Sequence, residues 1–171
     1  RELETKQVSS EDKRIEEDLD LIKISDNSVV IYGELNQALL ALDCFISNDN
    51  FKVVGYVNPS YKSELFHGIP ALHSSVFPKL KDRGLKYVYL CGQNSEVKSK
   101  QLDECKRIGL ECISAIHSSA IVSDLAQLGE GIFIGAQVVI GPGAVVGDLS
   151  QVLCGATIAH HAKLGRYVTI S

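Results

Sequence analysis

Aliphatic residues recur at every sixth position over the last third of the chain, and this period limits the possible folds more than any other feature. The series has ten members without a slip: Ile116, Val122, Leu128, Ile134, Ile140, Val146, Val152, Ile158, Leu164 and Ile170. Neither an α-helix nor an alternating strand has a period of six. A triangular parallel β-helix does, because each six-residue unit forms one side of a prism and directs its aliphatic residue inward.

A second set of mostly small residues runs in step with the first, two positions before each aliphatic residue. Its members are Ala120, Ala126, Ile132, Val138, Ala144, Ser150, Ala156, Ala162 and Val168. Residues 118–171 therefore predict about three coils of a β-helix. Since an open coil edge must be covered, we expect further coils beyond a C-terminal truncation, a neighbouring chain, or another segment at that edge.

Residues 28–117 follow a different pattern, in which short apolar runs alternate with helical spacing. Strands are predicted at 29–32, 51–57, 87–91 and 110–116, and helices over 36–46 and 95–108. This alternation indicates a small, mostly parallel α/β sheet. The chain is thus predicted to contain a charged leader at 1–27, an α/β domain at 28–117 and an incomplete β-helix at 118–171.

The net charge of −4 comes entirely from residues 1–20, which hold four of the 17 basic and eight of the 21 acidic residues. The rest of the chain is neutral overall, which argues against nucleic-acid or anionic-membrane binding. The leader is interpreted as a solvated linker or frayed helix, with a tether to a missing upstream domain as the alternative.

No secretory signal or membrane-spanning run is found. The chain lacks methionine even at position 1, which suggests a fragment or a processed product.

The five cysteines are odd in number and include no C-x-x-C pair. The apolar neighbours of Cys44, Cys91 and Cys154 predict reduced, mostly buried thiols in a cytoplasmic protein. No cluster of histidine and cysteine has zinc-finger spacing, so no metal site is predicted.

Glycine-rich stretches at 129–135 and 141–147 match phosphate loops in composition only. Their glycines follow the six-residue repeat of the β-helix, so we interpret them as prism corners. Gly33 is better placed, between a strand and a helix, where a phosphate can bind the helix N-terminus. However, the stretch 33–38 has one glycine where dinucleotide fingerprints have three, and Glu34 would repel an anion. The pattern alone favours a plain strand-to-helix turn.

Histidines are the best candidates for acid–base chemistry. His67 is predicted in a loop, His73 as the cap of the following helix, and His117 as a packed residue between the two halves. His160 and His161 should point outward near a corner of the prism. An imidazole titrates near neutrality and can take a proton from an amine or hydroxyl. An exposed pair without a function is the alternative that spacing leaves open. Serine-elbow, Walker and zinc-protease motifs are absent.

A small α/β domain that leads into a hexapeptide β-helix resembles the bacterial sugar acyltransferases. The similar enzymes are UDP-4-amino-sugar N-acetyltransferases and sialic acid O-acetyltransferases. The resemblance covers residues 28–171, and it rests on VIYG at 30–33, VGYV at 54–57, GIPAL at 68–72, IHSSA at 116–120 and, most specifically, GATIAHHAKLG at 155–165. It implies a left-handed β-helix, a Rossmann-like domain that binds a nucleotide sugar, and acetyl-CoA held between the subunits of a homotrimer.

The resemblance also implies roles for residues of the β-helix. His160 matches the general base of the family, and His161 stands where an acidic residue usually polarises that base. Thr169 stands where a second histidine near acetyl-CoA is common. A carboxylate beside the base would favour its protonated form, which a second imidazole cannot do. We therefore expect a weaker base or a different partner for the nucleophile.

In the α/β domain, the resemblance implies that Gly33, Asn36, Gln37 and Asn58 contact the nucleotide sugar. Asn36 and Gln37 replace a glycine and a histidine of the family's glycine-rich turn, and Asn58 replaces an acidic residue after the second strand. The predicted function is acetyl-CoA-dependent transfer, without a metal, to an amino or hydroxyl group of a nucleotide-linked sugar. The alternative is a non-catalytic or truncated trimeric module that binds a nucleotide sugar or acts as a scaffold.

Overall fold

The computed structural model describes residues 16, 17, 19–58 and 65–171. The predicted linker or tether therefore lies largely outside the described residues. In the described part of the leader, Leu19 and Ile22 are buried in the core of the α/β domain. Asp20 forms an exposed ion pair with Arg83 at 3.3 Å, so charges of the leader face basic side chains of that domain.

The α/β domain is built on a six-stranded sheet with the strand order β3-β4-β2-β1-β5-β6. Its neighbouring strands are parallel, except for the short antiparallel pair of β3 and β4. The strands are β1 (Ser28–Gly33), β2 (Lys52–Val57), β3 (Leu65–Phe66), β4 (Ile69–Leu72), β5 (Tyr87–Cys91) and β6 (Glu111–Cys112). Strand β1 is buried along its whole length, as expected for the centre of a parallel sheet with both faces covered.

Three helices connect these strands: α1 (Leu35–Ile46), α2 (Phe77–Asp82) and α3 (Ser95–Arg107). In α1, Ala38, Ala41, Leu42 and Phe45 are spaced three or four residues apart and form its buried face. Helix α3 begins after Asn94, whose side chain accepts a hydrogen bond from the Val97 amide at 3.0 Å. The predicted helices at 36–46 and 95–108 are confirmed.

Residues 115–170 form ten strands of two residues each, one in every six-residue unit. They are β7 (Ala115–Ile116), β8 (Ile121–Val122), β9 (Gln127–Leu128), β10 (Phe133–Ile134), β11 (Val139–Ile140), β12 (Val145–Val146), β13 (Gln151–Val152), β14 (Thr157–Ile158), β15 (Lys163–Leu164) and β16 (Thr169–Ile170). Successive strands join three parallel sheets in rotation: β16-β13-β10-β7, β14-β11-β8 and β15-β12-β9. The chain therefore winds around a three-sided prism, as the period of six predicts. The left hand of the coil stays a prediction.

The aliphatic series fills the interior of this prism. All ten members belong to one core cluster, in which Ile134 and Val152 are fully buried. Ser150 is also fully buried, at 0% exposure. Its hydroxyl donates to the Gly165 carbonyl at 2.8 Å and accepts from the Val168 amide at 3.0 Å, so the buried polar group is paired.

Two parts of the α/β region differ from the sequence prediction. The predicted strand at 110–116 is split, because β6 pairs with β5 in the first sheet whereas β7 pairs with β10 in the prism. Strands β3 and β4, helix α2 and the 3-10 turn at Ser74–Val76 were not predicted. Each is six residues or shorter, and such short elements carry little periodicity. The predicted cap is confirmed, since His73 accepts from the Ser75 amide at 3.3 Å.

All five cysteines are free, and four of them are buried. Burial raises the pKa of the Cys44 thiol to about 12, which makes it an unreactive group in the core. Cys154 is exposed, so the prediction that it is buried was wrong. It lies at the corner between β13 and β14. Val152 and Ala156 point into the prism and Leu153 packs towards the α/β domain, whereas the corner residue Cys154 faces outward.

The α/β domain packs against the first sheet of the prism. Ala115 and Phe133, which point outward from that sheet, belong to the same core cluster as Phe45 of α1. Polar contacts complete the junction. The Asn48 amide donates to the Ile116 carbonyl at 3.1 Å, and the buried Lys98 ammonium donates to the Leu149 carbonyl at 2.7 Å.

Candidate active site

The first group of predicted site residues lies at the carboxyl ends of the parallel strands. Strand β1 has β2 on one side and β5 on the other, and the chain leaves β1 and β5 through Gly33 and Gly92. A crevice between strands whose connections diverge in this way is where open α/β sheets bind ligands. At Gly33 a β-carbon would lie 1.8 Å from the Cys91 carbonyl oxygen, so only glycine fits there.

A chain of hydrogen bonds links two of these positions. The Asn58 amide donates to the Tyr56 hydroxyl at 3.0 Å, and that hydroxyl donates to the Gly33 carbonyl at 2.9 Å. The structure thus connects the ends of β1 and β2. Asn36 and Gln37 lie in the first turn of α1, directly after Gly33, with Asn36 exposed and Gln37 half-buried.

The histidine pair forms the centre of a tight corner between β14 and β15. The corner is closed by a hydrogen bond from the Ala162 amide to the Ala159 carbonyl at 3.2 Å. His161 has a φ of 58°, and a positive φ at the third position is typical of a type II turn. Both histidines are exposed, as predicted, and their rings meet edge to face with 5.4 Å between centroids.

The corner below fixes the position of His161. In the preceding coil the equivalent residue is Gly143, at which a β-carbon would lie 2.6 Å from His161 Nδ1. The imidazole of His161 therefore occupies the space that the missing side chain of Gly143 leaves open. Among the residues that the structure describes, no carboxylate lies within ion-pair distance of either ring; the histidine ion pair found there joins His117 to Asp43 at 3.7 Å.

The structure places the two groups of predicted residues on different sides of the prism. The α/β domain covers the sheet β7-β10-β13-β16, whereas the histidine corner joins the other two sheets. Thr169 lies on the covered sheet, paired with Gln151, and not at the histidine corner. One chain therefore brings together Gly33, Asn36, Gln37 and Asn58, and it separately brings together His160 and His161.

Sequence reasoning missed Gln151, which connects the prism to the crevice. Its amide donates to the Gly92 carbonyl at 2.8 Å, and the residue is 3% exposed. The sequence carried only a partial signal: Gln151 is a polar residue at an outward position that holds Ala115 and Phe133 in the coils below. Without the tertiary structure, nothing distinguished this outward face from the two that are not covered by the domain.

A cavity of about 830 Å³ lies elsewhere, between α1 and the first residues of β2. Its lining includes the apolar residues Leu39, Phe45, Ile46 and Val53 and the charged residues Asp43 and Lys52. It lies towards the amino ends of the strands, away from both groups of predicted residues. In the described ranges, no group of three or more potential ligand side chains is arranged to hold a metal ion, and no helix is long and apolar enough to cross a membrane.

Comparison with known proteins adds functional evidence from solved structures. Neither a family model nor a curated protein sequence matches the chain. GDP-perosamine N-acetyltransferase from Caulobacter crescentus, solved as a histidine-to-alanine mutant in complex with CoA and GDP-perosamine, superposes with a TM-score of 0.80 at 25% identity. The match covers 86% of this chain and 69% of that chain.

Two further structures share the fold. The acetyltransferase domain of PglB from Neisseria gonorrhoeae, in complex with acetyl coenzyme A, gives a TM-score of 0.75 at 17% identity over 85% of this chain and 70% of that chain. WeeI from Acinetobacter baumannii gives 0.69 at 19% identity over 82% of this chain and 68% of that chain. The predicted enzyme class is confirmed: the chain is an acyltransferase built from an α/β domain and a three-sided parallel β-helix.

Proposed function

We propose that this chain transfers the acetyl group of acetyl-CoA to an amino or hydroxyl group of a nucleotide-linked sugar. One observation carries the proposal: an α/β domain, whose strand order diverges at the carboxyl ends of β1 and β5, is joined to a prism that presents the exposed His160 at a corner. The GDP-perosamine N-acetyltransferase described above shares this fold and was solved with CoA and GDP-perosamine. We also propose that the coil is left-handed and that the acceptor sugar is linked to UDP or GDP.

In the proposed reaction, His160 acts as the general base. Its imidazole takes a proton from the amine or hydroxyl while that group attacks the thioester carbonyl, and the CoA thiolate leaves with the C–S electron pair. A backbone N–H of a neighbouring coil stabilises the oxyanion. His161 is held against Gly143 with its ring edge-on to His160, so it limits the orientations of the base. Among the described residues of one chain, no carboxylate lies within ion-pair distance of His160 to stabilise the imidazolium.

Nucleotide-sugar binding is proposed at the crevice, with Gly33, Asn36, Gln37 and Asn58 as its contacts. The hydrogen bonds from Asn58 through Tyr56 to Gly33 support this, because they hold the ends of β1 and β2 in a fixed relation. Thr169 is proposed to contact acetyl-CoA. The free, mostly buried cysteines favour a cytoplasmic location.

A homotrimer would bring the two separated groups of proposed site residues together. In one chain, the prism lies between the crevice and the histidine corner, because the corner joins the two sheets that the α/β domain does not cover. Association of three prisms would bring the histidine corner of one copy to the crevice of its neighbour. We therefore propose that each complete site forms between two copies.

Detection of the acetylated product by mass spectrometry tests the function directly. The protein is incubated with acetyl-CoA and a panel of UDP- and GDP-linked 4-amino sugars. The variant His160→Ala should lower the rate by about 10²–10⁴-fold, the usual contribution of a general base. His67→Asn is the matched control, because His67 is an exposed histidine with a positive φ far from the prism corner.

Full activity of His160→Ala would show that another group is the base. If no acceptor gives product, calorimetry with acetyl-CoA distinguishes the remaining cases. A catalytic chain whose acceptor was missing from the panel binds acetyl-CoA, whereas a non-catalytic nucleotide-sugar module does not.

A further inference from the structure

Glu34 connects the two turns that form the crevice. It is the residue before α1, yet its side chain makes no capping hydrogen bond to that helix. Instead, Glu34 Oε1 accepts a hydrogen bond from the Gln93 backbone amide at 3.3 Å. The carboxylate also lies against Gly92, where an added β-carbon would be 3.1 Å from the same oxygen. A side chain from the end of β1 thus reaches the turn that follows β5.

The position that this carboxylate occupies suits an anion of the ligand. Backbone N–H groups at the carboxyl end of a parallel strand, just before a helix, favour negative charge. Gln93 is such a residue, since it lies between β5 and α3. The Gln93 amide already donates to an anion of the chain itself, the Glu34 carboxylate. The close packing of the carboxylate against Gly92 leaves no room for a phosphate oxygen at the same place while Glu34 stays there.

The charge of Glu34 is not neutralised by a direct contact. Within the part of the chain that the structure describes, no lysine, arginine or histidine forms an ion pair with it. The buried cation nearby, Lys98, donates to the Leu149 carbonyl and attracts Glu34 through space, without a direct contact. An incoming phosphate would therefore meet an exposed like charge at the crevice.

We infer that Glu34 is a specificity-determining residue that competes with the diphosphate of the nucleotide sugar for the turn after β5. The inference rests on the proposed function, and it assigns to this residue the control of how tightly that site holds anions. A nucleotide diphosphate binds only after the Glu34 carboxylate has moved away from Gln93. The measured binding free energy therefore includes the free energy of displacing this carboxylate. A ligand that is uncharged at this position binds without that penalty.

Calorimetry with UDP and GDP tests the inference through Glu34→Gln. This variant keeps the size of the side chain and an oxygen for the Gln93 amide, so it removes the charge alone. We expect binding about fivefold to tenfold tighter than that of the wild type at low salt, with a smaller difference at high salt because the effect is electrostatic. Asp49→Asn is the matched control, since Asp49 is an exposed carboxylate between α1 and β2, away from the crevice. Equal or weaker binding by Glu34→Gln would overturn the inference.

A second measurement needs no nucleotide sugar. In ¹⁵N-resolved NMR spectra, pyrophosphate should shift the Gln93 amide resonance at concentrations several-fold lower in Glu34→Gln than in the wild type. The same midpoint in both proteins would contradict the competition.

The two hypotheses fail separately. If pyrophosphate behaves as expected but acetyl-CoA does not bind and no acetylated sugar forms, Glu34 still controls anion binding at the turn after β5, whereas the proposed acetyl transfer falls. If product forms and the charge of Glu34 changes neither affinity nor the amide titration, the proposed function stands and the inference falls.

Discussion

Single residues with an unusual backbone conformation decide the geometry of the histidine corner. Positive φ angles recur every six residues along one position of the prism, at Gly131, Gln137, Gly143, Leu149, Gly155, His161 and Tyr167. A side chain at such a position is strained, and glycine relieves that strain. His161 tolerates it in this structure, and the glycine in the coil below leaves space for its ring.

Substitution of Gly143 by alanine should disturb His161 and, through it, the reaction. The new β-carbon would lie 2.6 Å from His161 Nδ1, and the residue has a φ of 69°. We expect a loss of about 1–2 kcal/mol in the free energy of unfolding from the strained backbone, together with a lower rate of acetyl transfer. Gly155→Ala provides the control, because Gly155 has a φ of 77° and nothing lies near its added β-carbon. Equal rates in the two variants would exclude a positioning role for His161.

At the scale of elements, the prism shows how strands of two residues become stable. Each strand alone is too short to persist, and its hydrogen bonds come from the coils above and below. Strand β10 pairs with both β7 and β13, whereas β7 pairs within the prism only with β10. The loss of stability on substitution of an inward residue should therefore depend on the coil in which the residue lies, even when the residue type is the same.

Ile134→Ala and Ile116→Ala compare two such positions in one column. Ile134 is fully buried, while Ile116 is only partly buried at the junction. Removal of a buried isoleucine side chain typically costs about 2–5 kcal/mol, and the cost rises with the cavity that remains. We expect Ile134→Ala to lie within that range and Ile116→Ala to cost clearly less, as measured by chemical denaturation. Equal losses would mean that the coils do not differ in stability along the prism.

At the scale of the whole molecule, the proposed catalytic and binding groups are separated by the body of the prism. Contacts such as the one between Gln151 and the Gly92 carbonyl hold the α/β domain to one sheet. The histidine corner joins the other two sheets, so it is directed away from the crevice of its own chain. A second copy is needed to complete a site under the proposed function.

Complementation between two inactive variants tests this arrangement. His160→Ala removes the proposed base, and Asn36→Glu places a negative charge in the exposed first turn of α1. Each variant alone should have little activity. Co-expressed in equal amounts, they should regain activity in about a quarter of the sites, because one neighbour then supplies the crevice and the other supplies the histidine. A mixture as inactive as its components would place both groups of residues in one chain's site.

Much of the fold could be predicted because periodicity is a local property with a direct structural meaning. The period of six predicted the prism, the outward direction of His160 and His161, and the corners at the glycine-rich stretches. The short elements between β2 and β5 were missed because they have too few residues to show a period. The exposure of Cys154 was missed because its apolar neighbours Val152 and Leu153 pack into the prism and against the α/β domain, while the corner itself faces outward.

The sequence alone determined that the second half winds into a prism, that the first half alternates strands and helices, and that a histidine pair lies at a corner. These features follow from the spacing of side chains along the chain. Only the tertiary structure decided which face of the prism the α/β domain covers, that Gln151 and Lys98 bridge the two halves, and that Glu34 reaches across the crevice to Gln93. Such contacts join residues far apart in sequence, and no local period encodes which distant surfaces will meet.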